Sequence, residues 1–169
     1  MIVEHSAVRL VRLAGGEFVL EPDTGAEPMR VRPTESGFRV EGPGIPGAWT
    51  LVCDAGPNGG FCMLAQDGSQ ELGRSVGMGC LGVQREMRYV LLGDGSLFRV
   101  VPRAPRQGGY EVSGCETPGA YLTARLEPGG WRIAPTPACG GLEDLRVLSV
   151  LFAAEILAAE EPIDPGEAV

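Results

Sequence analysis

The chain contains no lysine. All 14 basic residues are arginine, histidine occurs once, at His5, and asparagine once, at Asn58. The codons of lysine and asparagine are AT-rich, so their scarcity points to a GC-rich, bacterial genome and not to an activity. Base is short overall: 22 acids give a net charge of −8. Seven of those acids, with Arg146 as the sole base, fall in residues 142–169, which leaves a nearly neutral body. No basic stripe exists to neutralise phosphates, so nucleic-acid binding is excluded.

Paired cysteines are missing too. Cys53, Cys62, Cys80, Cys115 and Cys139 are odd in number and none lies in a C-x-x-C pair. Cys53 and Cys62 are nine apart, with no second pair at zinc spacing, so no metal site is assigned. A nucleophilic thiol needs a base beside it, and His5 lies at a loose terminus. No catalytic residue and no cofactor is assigned. The N-terminal "MIVEHSAVRLVRL" lacks the charged-then-apolar layout of a secretion signal. Five reduced, mostly buried thiols in a cytoplasmic protein are therefore expected.

What the chain has is turns. Gly contributes 26 residues and Pro 14, with apolar runs between them. Asp23-Thr24-Gly25, Asp67-Gly68, Asp94-Gly95 and Pro128-Gly129-Gly130 separate such runs, and Asp-Gly tolerates the positive φ of tight hairpin turns. Strands are expected near 7–13, 16–21, 28–32, 37–41, 48–53, 60–66, 70–76, 83–92, 96–102, 109–114, 119–126 and 130–135. "FRVE" and "WRIA" alternate as half-buried strands do.

One helix is expected, over about 142–160. From Val147 to Ala159 only Ser149 and Glu155 are polar, and the polar positions scatter around the circumference. A helix apolar on all sides is buried in protein or spans a membrane. Spanning needs about 20 predominantly apolar residues, more than this run supplies. Burial on every side predicts a mainly β fold: a closed antiparallel barrel of about twelve strands around one central helix. Residues 1–161 form one such domain and 162–169 an acidic, flexible tail.

The stretches "RYVLLGDGSLFRVVPR" (88–103), "GGYEVSG" (108–114) and "LRVLSVLFAAEIL" (145–157) read as strand, Asp-Gly turn, strand, next strand and core helix. In this layout the chain resembles the tubby C-terminal-like superfamily, which includes tubby-like proteins, phospholipid scramblases and LURP-one-related proteins. The resemblance implies a barrel closed around a buried helix. The family's lysine-rich phosphoinositide site has no counterpart here. Neither the calcium-binding segment nor the membrane-inserting end of scramblases is matched, so no functional residue is carried over.

Three patterns are candidate sites. Gly77, Gly79 and Gly82 match G-x-G-x-x-G, but the following residues read as a strand and no acid stands about 20 residues on, so a glycine-rich bend is the better reading. Asp54, Asp67, Glu71 and Asp94 are carboxylates near turns and form no arguable pair. Arginines are the remaining clue. Arg30 and Arg32 share one strand face, and Arg39 on the next strand is expected beside Arg30. Arg99, Arg103 and Arg106 form a second group. Arg30, Arg32, Arg39, Arg99 and Arg103 are the candidate anion-binding residues, by bidentate contact, unless local acids such as Glu35 and Glu41 take them. The functional expectation is a non-catalytic binding or interaction module, monomeric or weakly dimeric, for a ligand or protein the sequence does not name. The alternatives are a scramblase-like lipid-associated protein, for which membrane association rests on the family alone, and a small enzyme with a site at a barrel end.

Overall fold

Alternation of apolar and polar residues between glycine turns produces twelve strands. The first six are β1 (Val8–Arg12), β2 (Phe18–Pro22), β3 (Met29–Thr34), β4 (Gly37–Glu41), β5 (Trp49–Cys53) and β6 (Phe61–Leu64). The next six are β7 (Glu71–Gly77), β8 (Arg88–Leu92), β9 (Leu97–Pro102), β10 (Gly109–Gly114), β11 (Ala120–Glu127) and β12 (Gly130–Pro135). One helix, α1 (Arg146–Glu160), follows. The computed structural model describes residues 6–35, 37–53, 60–65, 68, 70–77, 88–102, 109–115, 119–141 and 145–160.

Each strand pairs antiparallel with its neighbours in sequence, and β1 closes the barrel on β12, with Val8 opposite Ile133 and Leu10 opposite Trp131. Closure leaves no edge strand to template aggregation. The turns form as the sequence predicts. At Asp94-Gly95 the Gly95 amide donates to the Leu92 carbonyl at 2.9 Å and the Ser96 amide to Asp94 Oδ1 at 2.8 Å. The inward residues, among them Leu10, Leu20, Val31, Val40, Leu51 and Met63, are fully buried and form one core with α1.

The helix is buried around its whole circumference. Successive residues turn by about 100°, so Leu148, Val150, Leu151, Phe152, Ala153 and Ile156 point in all directions, and each is at most 1% exposed. Leu145 supplies the first helical carbonyl, accepting from the Ser149 amide at 2.8 Å. The helix thus begins four residues later than the expected 142. Residues 142–144, and with them Glu143 and Asp144, lie outside the described residues. Val147, in the first turn, is half-buried and not fully dry, because it lies near the barrel end where α1 enters. Arg146 marks that end, donating to the Pro43 carbonyl at 2.8 Å while its guanidinium lies 5.2 Å from the Trp49 ring centroid.

Two polar devices fix α1 inside an apolar barrel. Arg88 faces inward by strand parity with Val90, and Glu155 is the acid in the apolar part of the helix. Arg88 Nε meets Glu155 Oε2 at 3.0 Å and Nη2 meets Oε1 at 3.0 Å, a bidentate pair from wall to helix. At the exit end, Arg12 Nη2 donates to the Leu157 carbonyl at 3.2 Å, a cation on the negative end of the helix dipole. Among the described residues no helix is long and apolar enough to cross a membrane.

Candidate binding site at one end of the barrel

The helix stripe Val147, Leu151, Ala154 and Ala158 follows the i, i+4, i+7, i+11 spacing of one face. Its large residues pack directly on the wall. A Cβ on Gly73 of β7 would lie 3.1 Å from Val147 Cγ1 and 3.2 Å from Leu151 Cδ1, so glycine is what permits that approach. The stripe then shrinks to alanine, and among the described residues no side chain fills the space between the wall and Ala154 and Ala158.

The result is a cavity of about 510 Å³ at the end where α1 leaves. Its lining comes from within the last two residues of β1, β3 and β5 and the first two of β2, β4 and β6: Arg12, Phe18, Pro33, Phe38, Cys53 and Phe61. Phe18 and Phe38 meet edge-on, with ring centroids 6.3 Å apart. The turn between β1 and β2 forms the rim. It is closed by the Leu13 amide donating to the Glu17 carbonyl at 2.7 Å, and Gly15 and Gly16 take positive φ of 76° and 84° to make it. A smaller cavity of about 250 Å³, lined by Leu10, Leu126, Trp131 and their neighbours, shares Arg12 and Leu157 with the first.

Three polar side chains line the larger cavity. Arg12 faces inward because it is opposite Phe18 in register. Glu17 accepts from Arg30 Nε at 2.9 Å and Nη2 at 2.5 Å. Cys53 is exposed at the end of β5, yet the desolvation it does undergo pushes its thiol above the ordinary range, so it is not a thiolate at neutral pH. Apolar walls with a few convergent polar groups are the usual make-up of a small-molecule site.

The described candidate arginines, Arg30, Arg32, Arg39 and Arg99, lie elsewhere, on the outer face. Arg30 holds Glu17, while Arg32 and Arg39 flank Glu41 at 3.0 and 3.3 Å. Register corrects the expected neighbours: Arg39 stands opposite Arg32, and Glu41 stands opposite Arg30. A shift of one residue in a strand changes its face, and the turn between β3 and β4 sets that register. Arg99 is exposed on β9, opposite Tyr89 and Ser113. Arg103 and Arg106 lie outside the described residues.

Among the described residues the four cysteines are free, but Cys53 and Cys115 are exposed and Cys62 is half-buried, so only Cys139 has the expected burial. The cysteines at 53 and 115 end up exposed because each closes a strand at a barrel rim. Gly77 ends β7, whereas Gly79, Gly82, Cys80, His5, Asp54 and Asp67 lie outside the described residues. Glu71 accepts from Cys62 Sγ at 3.0 Å and from Arg74 Nε at 2.9 Å, and the guanidinium and thiol hold its carboxyl below the usual range. Among the described residues no group of three His, Cys, Asp or Glu could hold a metal ion. Compared with family models, with curated proteins and with solved structures, the chain matches none.

Proposed function

We propose that the domain is a non-catalytic binding module of the tubby-like type whose ligand is a small, largely apolar molecule held in the end cavity. The observation that carries this reading is the cavity itself. Its volume of about 510 Å³ lies in the range of ligand sites, and its walls are mainly phenylalanine, proline, leucine and alanine. The twelve-strand barrel closed around a C-terminal helix supports the tubby-like assignment. Four described cysteines outside any disulfide support a reducing, cytoplasmic setting.

The test is titration with neutral N-phenylnaphthylamine, which fluoresces in apolar surroundings. Saturable binding of one probe per chain is expected. Ala154→Leu and Ala158→Trp should weaken it at least tenfold while the melting temperature holds or rises, because filling a cavity removes no contact. Equal binding by both variants would place the probe elsewhere.

A second reading, a lipid-associated protein, is favoured by two large apolar side chains exposed at the same end, Leu13 (40%) and Leu126 (54%). Flotation with anionic vesicles separates the two. The acidic, lysine-free binding module stays in the soluble fraction, and the lipid-associated protein floats. The enzyme reading has Cys53 in the cavity, but as a thiol with no described base beside it.

A further inference from the structure

We infer that the end cavity takes a flat, uncharged aromatic molecule, one side of its ring on Phe18, Phe38 and Phe61 and the other on the alanine step of α1; this rests on the cavity being a ligand site.

The partners of the polar side chains decide the charge. Arg12 is engaged by the Leu157 carbonyl and by at least one further interaction. Glu17 accepts both bonds from Arg30. Cys53 carries a neutral thiol at ordinary pH. Both charged side chains of the lining are therefore already occupied. A carboxylate would have to take Arg12 from the groups that hold it, and an ammonium would have to take Glu17 from Arg30. Either ion would also give up its water among apolar walls, a cost that only a well-made new pair repays. A neutral ligand meets neither demand.

Register decides the shape. Phe18 stands opposite Arg12, Phe38 opposite Pro33 and Phe61 opposite Cys53. The three rings thus come from β2, β4 and β6, alternate strands along one arc of the wall. Phe18 and Phe38 meet at an interplanar angle of 61°, so this arc offers a ring edge beside a ring face, the two partners that an incoming aromatic ring prefers. Across the cavity, Ala154 and Ala158 lie one helical turn apart, and each offers a single methyl group. The floor they make is shallow, and a planar ring fits between it and the phenylalanine arc. A saturated ring of the same skeleton is thicker and has no quadrupole to meet the ring edges. Pro33, Leu13 and Leu157 carry no side-chain hydrogen-bonding group, so a sugar or a peptide would lose its water there without replacement.

Calorimetric titration of the full chain with 2-naphthol, decahydro-2-naphthol and 2-naphthoate tests this. The three share one ring skeleton and differ in flatness or in charge. 2-Naphthol is expected to displace N-phenylnaphthylamine and to bind at least tenfold more tightly than either of the others. Tenfold is about 1.4 kcal/mol, within reach of two or three ring contacts. Phe38→Leu and Phe61→Leu should each reduce the preference for 2-naphthol over its saturated form at least threefold. An unchanged preference in both variants would take the ring off the phenylalanine arc and overturn the assignment. If neither variant folds, the ratios of the unaltered chain decide alone. A preference below tenfold over decahydro-2-naphthol overturns the aromatic assignment, and one below tenfold over 2-naphthoate overturns the neutral one, while displacement of N-phenylnaphthylamine keeps the cavity as a site. No binding of any probe, or binding that Ala158→Trp leaves unchanged, overturns the site as well.

Discussion

Replacing Glu155 by leucine removes the carboxylate that meets the Arg88 guanidinium from the helix. The Arg88 side chain is 20% exposed and that of Glu155 8% exposed, so water reaches neither freely. Removing one partner of a buried pair costs about 3–5 kcal/mol, against a domain stability of about 5–15 kcal/mol. Glu155→Leu should therefore bring the domain near its unfolding threshold. Arg88→Met should be worse, since the charge it strands is the more deeply buried. The double variant should recover most of the loss, because well-packed apolar residues often replace an ion pair without penalty. Urea unfolding followed by the fluorescence of Trp49 and Trp131, both in the core, measures all three. The cycle should give a coupling of about 3 kcal/mol or more. A coupling below about 0.5 kcal/mol, the range of exposed pairs, would mean that Glu155 is wet and that α1 is not enclosed.

Gly73→Ala should cost about 1–3 kcal/mol by overpacking, as its methyl meets Val147, Leu151 and the Leu91 carbonyl at 3.1 to 3.2 Å; thermal unfolding reads it. Asp94 accepts from the Ser96 amide, which holds its carboxyl below the usual range. A depressed value contributes stability above the unfolded pKa, near about 3.9, and loses it as pH falls through the folded one. Asp94→Ala should thus destabilise at neutral pH, by less than about 1 kcal/mol for so exposed a group, and the difference should shrink as pH falls below about 3.9 in the same unfolding assay. Millimolar sulfate, with chloride at matched ionic strength, should leave the melting temperature unchanged, because Glu17 and Glu41 already hold Arg30, Arg32 and Arg39; a rise would restore that outer face as an anion site.

The barrel and its helix were legible because both rest on periodicity. Turn residues bracket each strand, and a helix without a polar face has few places to go. The site was less legible, for reasons that particular residues make plain. In "VRLVR" the arginines at 9 and 12 are three apart, so period two sends them to opposite faces: Arg9 outward, Arg12 inward. Strand parity also groups Arg30, Arg32 and Arg39 on one outer face, but parity does not show the acids that meet them there, Glu17 and Glu41. Arg88 carries the same inward parity with Val90, and Glu155 is its natural partner, a pairing that strand parity alone could suggest. The cavity could not be read from the sequence. Ala154 and Ala158 are ordinary helix formers, and only the path of the wall shows that nothing fills the space they leave.

The enclosure of α1 is tested most directly by native-state amide hydrogen exchange. Exchange in a wholly buried helix requires the barrel to open, so amides on opposite faces should exchange together. The account predicts that Phe152 and Ile156 on one side, and Val150 and Ala154 on the other, share one protection free energy equal to the global unfolding free energy. Faster exchange along either face, through local fraying at a fraction of that free energy, would show a wet side and contradict the enclosed helix.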